Sequence, residues 1–112
     1  MMRQSHTAVL ARDELWEGPF ATEPYEVAWA REATFFLRVL DPYPDGGGVE
    51  ARVQISPDGM RWCEEGTTLT LPTDPDTPTF ARVRHFGGWL RLCGSVPEGA
   101  GARVIAYLVL KE

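Results

Sequence analysis

The feature that most constrains the fold is a strict alternation of apolar and polar side chains at residues 49–56. Val49, Ala51, Val53 and Ile55 lie on one side of an extended chain, and the residues between them lie on the other. A period of two over eight residues predicts a β-strand with one dry face and one wet face. The dry face must be buried against a second layer of structure.

This strand runs into a turn motif, Ser-Pro-Asp-Gly-Met-Arg-Trp, at residues 56–62. Pro57 suits the first central position of a type I turn, and Gly59 supplies the left-handed conformation that closes a bulged hairpin. Trp62 is then expected to cover the hairpin. One copy of the motif is too little for a β-propeller. The spacing from Asp58 to Gly59 also departs from the Asp-box of sialidase-like enzymes, so Asp58 is not expected to be a catalytic acid.

Short apolar segments separated by Gly, Pro and Asp continue along the chain, and helical periodicity is weak. Many short strands with such turns are typical of an antiparallel β-sandwich. We predict an all-β, single-domain antiparallel β-sandwich, of jelly-roll or immunoglobulin-like type, with about 8–9 short strands. The candidate strands are His6–Ala11, Phe20–Thr22, Tyr25–Trp29, Thr34–Leu40, Val49–Ser56, Arg61–Leu71, Thr79–His85, Trp89–Cys93 and Ala102–Lys111.

The length of 112 residues fits one domain with a core of its own. Residues 1–5 are predicted to be a flexible tail, and residues 6–112 to form the sandwich. Within the sandwich, the acidic segment 6–33 could also extend as an arm. Residues 41–48 are predicted to be a flexible loop, and the proline-rich segment 71–78 to cross between the sheets.

The final strand, 102–111, differs from the others because both of its faces are apolar. The even-numbered positions from 104 to 110 are apolar, and so are Ile105, Tyr107 and Val109. Such a strand lies at the centre of a core or has its second face covered. Cover by a neighbouring subunit and cover by the N-terminal segment of the same chain both fit this pattern.

The composition and net charge restrict the kinds of partner that the chain is expected to bind. A net charge of −5 and a pI of about 5.0 argue against a nucleic-acid partner. No targeting signal and no transmembrane segment is recognised. Cys63 and Cys93 have no metal-ligand spacing, so neither a metal nor a cofactor is expected, and the two thiols are either free or paired with each other. Arginine supplies ten of the eleven basic residues and asparagine is absent, which suggests a GC-rich and thermophilic source.

Catalysis has little support in the sequence. His6 and His85 are the only histidines, and no serine or cysteine nucleophile stands in a recognisable motif. The glycine-rich stretch 45–50 lacks the lysine and the following helix of a phosphate-binding loop. We therefore expect a protein that is not an enzyme.

Interaction residues are sought among the aromatic and arginine side chains. Large aromatics either form the core or stack on ligands such as sugars. Strand arginines could form a ladder on one outer face, where their planar groups would pair with carboxylates of an acidic arm. The candidate interaction residues are Arg82, Arg84, Arg91, Trp62, Trp89, Tyr107 and Trp16.

The order of these elements resembles that of small phage and prophage virion proteins with a single hairpin of this kind. The resemblance runs from about Tyr25 to Leu110. It includes a strand like "ARVQISPDGMRW", a Thr-rich strand like "TTLTL", a "GGWLRL" stretch at residues 87–92 and a final strand like "ARVIAYLVL". It implies a β-sandwich with a head-associated or capsid-decoration role and no catalytic residues. The long acidic N-terminal part and the loop 71–78 depart from that pattern.

We therefore expect a structural protein of a virion, found in the virion or the cytoplasm. It would bind sister subunits or a capsid-like lattice through strand faces and the N-terminal arm, as a homo-oligomer. The alternative is a small carbohydrate-binding β-sandwich module with a glycan as its partner.

Overall fold

A computed structural model describes residues 3–43 and 48–112 of the chain. These residues form an all-β fold, as predicted, in which nine antiparallel strands make two sheets. The strands are β1 (Ser5–Trp16), β2 (Gly18–Ala21), β3 (Tyr25–Glu26), β4 (Glu32–Val39), β5 (Glu50–Ser56), β6 (Cys63–Thr70), β7 (Thr79–Val83), β8 (Trp89–Val96) and β9 (Ala102–Lys111).

The strand order differs between the two sheets. The four-stranded sheet has the order β1-β9-β4-β7, so the first and last strands of the chain are neighbours. The five-stranded sheet has the order β2-β8-β5-β6, and the two-residue strand β3 also pairs with β8. The connection between β6 and β7 passes from one sheet to the other, as expected for residues 71–78.

The core lies between the inner faces of the two sheets. Phe35 and Leu37 of β4 lie in one layer, and Val53 of β5 with Leu90 and Leu92 of β8 lies in the other, and all five are fully buried. Each such side chain contributes roughly 1.5–3 kcal/mol through the area it removes from water. The alternation of apolar residues in the sequence therefore identified the inner face of β5 correctly.

Strand β9 lies in the middle of its sheet, with β1 on one side and β4 on the other. Its even-numbered residues from 104 to 110 are buried, whereas Ile105, Tyr107 and Val109 on the outer face are only partly buried. The N-terminal segment extends the sheet beside β9 and does not cover this face. Among the described residues, no third layer lies over it.

The segment 6–33, considered above as an extending arm, belongs to the sandwich instead. β1 pairs with β9 along almost its whole length, and β2 and β3 pair with β8. The backbone amide of Gln4 also donates to a carboxylate oxygen of Glu112 at 3.2 Å. These main-chain pairs hold the segment, so it is not free to extend. The predicted tail 1–5 and loop 41–48 lie partly outside the described residues.

Strand β1 is irregular at its centre. Its register with β9 shifts between Val9 and Ala11 and again between Ala11 and Glu14, and Asp13 has a positive φ of 53°. Bulges of this kind twist an edge strand and interrupt its row of backbone groups, which hinders unwanted pairing with other sheets.

No helix among the described residues is long and apolar enough to span a membrane.

Candidate functional site

The outer face of the four-stranded sheet carries a row of apolar and aromatic side chains that crosses all four strands. The register places Val9, Tyr107, Phe36 and Phe80 side by side, one from each of β1, β9, β4 and β7. Phe80 is 52% exposed and Val9 40% exposed, and the rings of Phe36 and Phe80 lie 6.0 Å apart. We call these four residues the outer-face row. Exposed apolar side chains that are contiguous typically mark a contact surface.

Two arginines border the outer-face row. Arg38 on β4 donates to the hydroxyl of Tyr107 at 3.3 Å. Arg82 on β7 places its guanidinium carbon 5.2 Å from the centre of the Phe80 ring. A guanidinium group that lies beside an aromatic ring keeps its N–H donors free to bond carboxylates. Arginine is also enriched at protein interfaces. The face therefore combines apolar area with positive charge.

A shallow cavity of about 190 Å³ opens beside Arg82. Arg84, just after β7, and Lys111, at the end of β9, line the same cavity, and Glu32 supplies one carboxylate. Because three cationic side chains and one carboxylate line this cavity, it favours an anionic group. Arg82 and Arg84, both candidate interaction residues, therefore lie close to each other in the structure.

The outer face of the five-stranded sheet is polar, and its side chains bond to one another. The Nε of Arg91 donates to Gln54 at 2.7 Å, and Gln54 in turn donates to Glu64. Arg52 lies 3.7 Å from the same Glu64 carboxylate. The guanidinium of Arg91 also stacks over the ring of Trp62 at 4.2 Å. One face of the Trp62 ring is therefore occupied by its own chain.

The hairpin between β5 and β6 is held by hydrogen bonds within the turn. The hydroxyl of Ser56 accepts from the backbone amides of Asp58 and Gly59 at 3.2 and 2.8 Å. The carboxylate of Asp58 accepts from the backbone amides of Met60 and Arg61, both at 2.9 Å, and from the Arg61 side chain at 2.8 Å. The backbone bonds above all lower the pKa of Asp58 to about 2. Asp58 is therefore a turn residue whose bonds favour the ionised form.

Trp89 packs against this hairpin, for which the sequence predicts Trp62 as the cover. Gly59 has a φ of +79°, and a Cβ added there would meet the Trp89 ring at 3.1–3.2 Å. Trp62 lies next to the hairpin but turns towards Arg91. The reason is the pairing of Ser56 with Trp89 in neighbouring strands, which brings the first residue of β8 to the turn.

The structure thus separates the predicted interaction residues into several places. Arg82, Arg84 and Tyr107 belong to the four-stranded sheet, and Trp62 and Arg91 to the opposite face of the molecule. An arginine ladder on a single face does not form, because β5 and β8 lie in the other sheet from β7 and β9.

Trp16, one of the candidate interaction residues, lies in the core. It is only 4% exposed and stacks on Phe20 with ring centres 3.8 Å apart. Sequence reasoning in turn missed Phe36, Phe80 and Val9 of the outer-face row. Phe36 and Phe80 each occupy the outward position of an alternating strand, which is the signal that could have found them.

The remaining titratable side chains do not converge. His6 bonds to the hydroxyl of Tyr25 at 2.9 Å, and His85, two residues after β7, lines a separate cavity with Arg31. Cys63 is exposed, Cys93 is buried, and both thiols are free, so the alternative of a disulfide is wrong. The described residues contain no group of three or more His, Cys, Asp or Glu that could hold a metal ion.

A further ion pair stabilises the bulge in β1. Asp13 accepts from the Nε of Arg103 at 3.0 Å, and this hydrogen bond raises the pKa of Arg103. Asp13 has a left-handed backbone, and its carboxylate contacts Arg103 of the neighbouring strand β9. The pair is half-exposed, so we assign it a local role.

These features define a small antiparallel β-sandwich whose two outer faces differ, one apolar and basic, the other polar. No protein-family model and no curated protein sequence matches the chain. The solved structure of the SPBc2 prophage-derived protein YomS is similar, with a TM-score of 0.67 and 9% sequence identity over 100% of this chain and 96% of that chain. This similarity shows a shared fold.

A second solved structure gives a weaker match. It is CpGH89CBM32-5 from Clostridium perfringens, in complex with GalNAc-β-1,3-galactose, with a TM-score of 0.47 and 9% identity. The match covers 93% of this chain and 94% of that chain. A similarity this low carries no argument about this protein.

Proposed function

We propose that the protein is a non-catalytic interaction protein, an accessory component of a phage-like virion. It binds sister subunits or a capsid-like shell through the outer face of the four-stranded sheet. The observation that carries this proposal is the outer-face row, a continuous strip of four side chains that is exposed at Val9 and Phe80 and half-buried at Phe36 and Tyr107.

The physical argument is that exposing this apolar strip to water is unfavourable, so a partner that covers it gains free energy from the burial. Phe80 leaves about half of its surface in water, and it sits on β7, the edge strand of its sheet. Arg38 and Arg82 add donors at the border of the strip. An apolar centre with arginines around it is the usual composition of a protein interface.

The fold supports the virion part of the proposal. The chain shares its whole fold with a protein described as prophage-derived. The order of its strands and its single Ser-Pro-Asp-Gly hairpin also resemble small virion proteins. Because many functions share sandwich folds, the virion assignment needs its own experiment.

Two measurements test this function. Sedimentation velocity over a range of concentrations should show association that Phe80→Ser weakens and Met60→Ser does not. Met60 is the matched control, since it is 73% exposed but lies in the hairpin of the other sheet. Mass spectrometry of phage-like particles purified from the source should also find the protein in a fixed ratio to the capsid protein. A chain that stays monomeric and is absent from such particles would contradict the proposal.

The carbohydrate-binding alternative has one specific observation in its favour. Trp62 and Trp89 are both only partly buried, and they lie near each other at the same end of the five-stranded sheet. Exposed aromatic faces of this kind can stack on sugars. Glycan-array binding that is lost in Trp62→Ala would support this alternative, and a blank array would count against it.

A further inference from the structure

The charges of the chain are separated between the two ends of the sandwich. At one end β1 begins, β4 begins, β7 ends and β9 ends, as the pairs Ser5–Lys111, Glu32–Lys111 and Ala33–Val83 show. Two adjoining cavities at this end share Glu32 and Lys111 in their walls. We call it the basic end. The start of β8 lies at this end too, and with it Glu26 and the hairpin 56–62. The charged residues of the basic end are Arg3, Arg31, Arg61, Arg82, Arg84, Lys111, Glu26, Glu32, Asp58 and Glu112.

The basic end carries a net positive charge in a chain that is acidic as a whole. Six of the eleven basic residues lie there with four carboxylates, a formal charge of +2. The other five basic residues share the remainder of the chain with twelve acidic ones, a formal charge of −7. The net charge of −5 is therefore distributed unevenly along the molecule, with the positive charge concentrated at one end.

The opposite end is acidic. There β1 and β4 end, β7 and β9 begin, and the connecting segments of both sheets meet. The backbone amide of Gly99 bonds to Glu17 at 3.1 Å, and that of Tyr43 bonds to Thr73 at 3.0 Å. The described parts of these segments contain no Lys or Arg. The exposed acidic residues of this acidic end are Glu17, Asp41, Glu50, Asp74, Asp76 and Glu98.

The two ends lie far apart. A strand of twelve residues such as β1 reaches roughly 40 Å, which matches the longest dimension of the molecule among extents of 46 × 30 × 20 Å. The strands therefore follow the long axis, and the charges of opposite sign lie at its two tips. A parallel side-by-side contact would bring like charges of two copies together, whereas an end-to-end contact would pair opposite charges.

We propose that the occupant of the basic end is the acidic end of a second copy, so that copies of this protein stack head to tail. This contact rests on the proposed interaction role and adds a second, polar surface to it. It is heterologous, so repetition gives a ring if the rotation closes and a filament if it does not.

The size of the ends sets the strength of this contact. A cross-section of 30 × 20 Å limits each end to roughly 600 Å², so the contact buries roughly 1,200 Å² in total. That area is at the lower limit of specific interfaces. Because the charges are exposed, the association should weaken as salt shortens the range of electrostatic forces to about 3 Å near 1 M.

Charge-reversed variants test the direction of the contact. Arg82→Glu with Arg84→Glu makes both ends acidic, and Asp76→Lys with Glu98→Lys reduces the formal charge of the exposed residues at the acidic end from −6 to −2. Each double variant should associate at least about tenfold more weakly than the natural chain in sedimentation velocity at low salt. An equimolar mixture of the two should recover association, since the natural basic end of one variant then meets the natural acidic end of the other. Arg12→Glu, on an exposed position in the middle of β1, is the control and should associate normally.

The outcomes separate this inference from the proposed function. Recovery in the mixture supports head-to-tail stacking and also shows that both variants are folded. Association that persists at high salt and is lost in Phe80→Ser overturns the stacking but leaves the proposed function standing. The stacking is also overturned if every variant and mixture stays monomeric, or if the basic end binds only an added polyanion such as DNA. In those two cases the proposed function is tested by whether purified phage-like particles contain the protein.

Discussion

The contact between Gly59 and Trp89 gives a sharp prediction about the hairpin. Gly59→Ala has two costs. An alanine at a φ of +79° loses about 1–2 kcal/mol because its Cβ crowds the following carbonyl. Its Cβ would also lie 3.1–3.2 Å from the Trp89 ring, which must shift by a few tenths of an ångström.

A matched glycine isolates the second cost. Gly99 has nearly the same φ of +82°, but a Cβ there would meet nothing within 4 Å. Gly99→Ala should therefore lose only about 1–2 kcal/mol of unfolding free energy. Gly59→Ala should lose about 2–4 kcal/mol, because overpacking against a ring adds about 1 kcal/mol or more.

Urea unfolding followed by circular dichroism would measure both losses at pH 7, and the same pair should be made in a Trp89→Leu background. The double-mutant cycle should show that Gly59→Ala costs less once the ring is gone, while Gly99→Ala costs the same in both backgrounds. Equal losses for the two glycines in the natural background would refute the assignment of Trp89 as the cover of the hairpin.

Two further predictions concern single side chains. The carboxyl of Asp58 should titrate near pH 2 by NMR and not near 3.8, because backbone amides bond its ionised form; it should favour the folded state above pH 3.8, with that contribution lost as the pH falls towards 2, and a midpoint near 3.8 would contradict the bonding described for the turn. Cys63 should react with a thiol reagent in the native protein and Cys93 only after unfolding, since only Cys63 is exposed; mass spectrometry of one-label and two-label products checks this, and rapid labelling of both thiols would contradict the packing of Cys93.

Much of the fold was predictable because its signals are local. Alternation in residues 49–56 identified β5 and its buried face, and the Ser-Pro-Asp-Gly sequence identified the hairpin after it. Both depend on backbone geometry over a few residues, which each residue type favours or resists by itself. The two apolar faces of β9 likewise predicted a central strand or one with a covered second face, and β9 does lie in the middle of its sheet.

The candidate site was less predictable, because it depends on which strands are neighbours. Val9 and Phe80 lie 71 positions apart in the sequence but join one row through the order β1-β9-β4-β7. The expected arginine ladder failed for the same reason, since Arg91 and Arg82 lie in different sheets. Period-two alternation tells which residues share a face of a strand, but not which strands share a sheet.

By itself, the sequence determined an all-β chain, the inward face of its strands and the chemistry of its main turn. The tertiary structure decided that Trp89 covers the hairpin, that Trp16 is in the core and that segment 6–33 completes both sheets. It also gathered Arg82, Arg84 and Lys111 at one end of the molecule. These outcomes depend on long-range strand pairing, in which residues far apart in the chain meet only after the whole sandwich has closed.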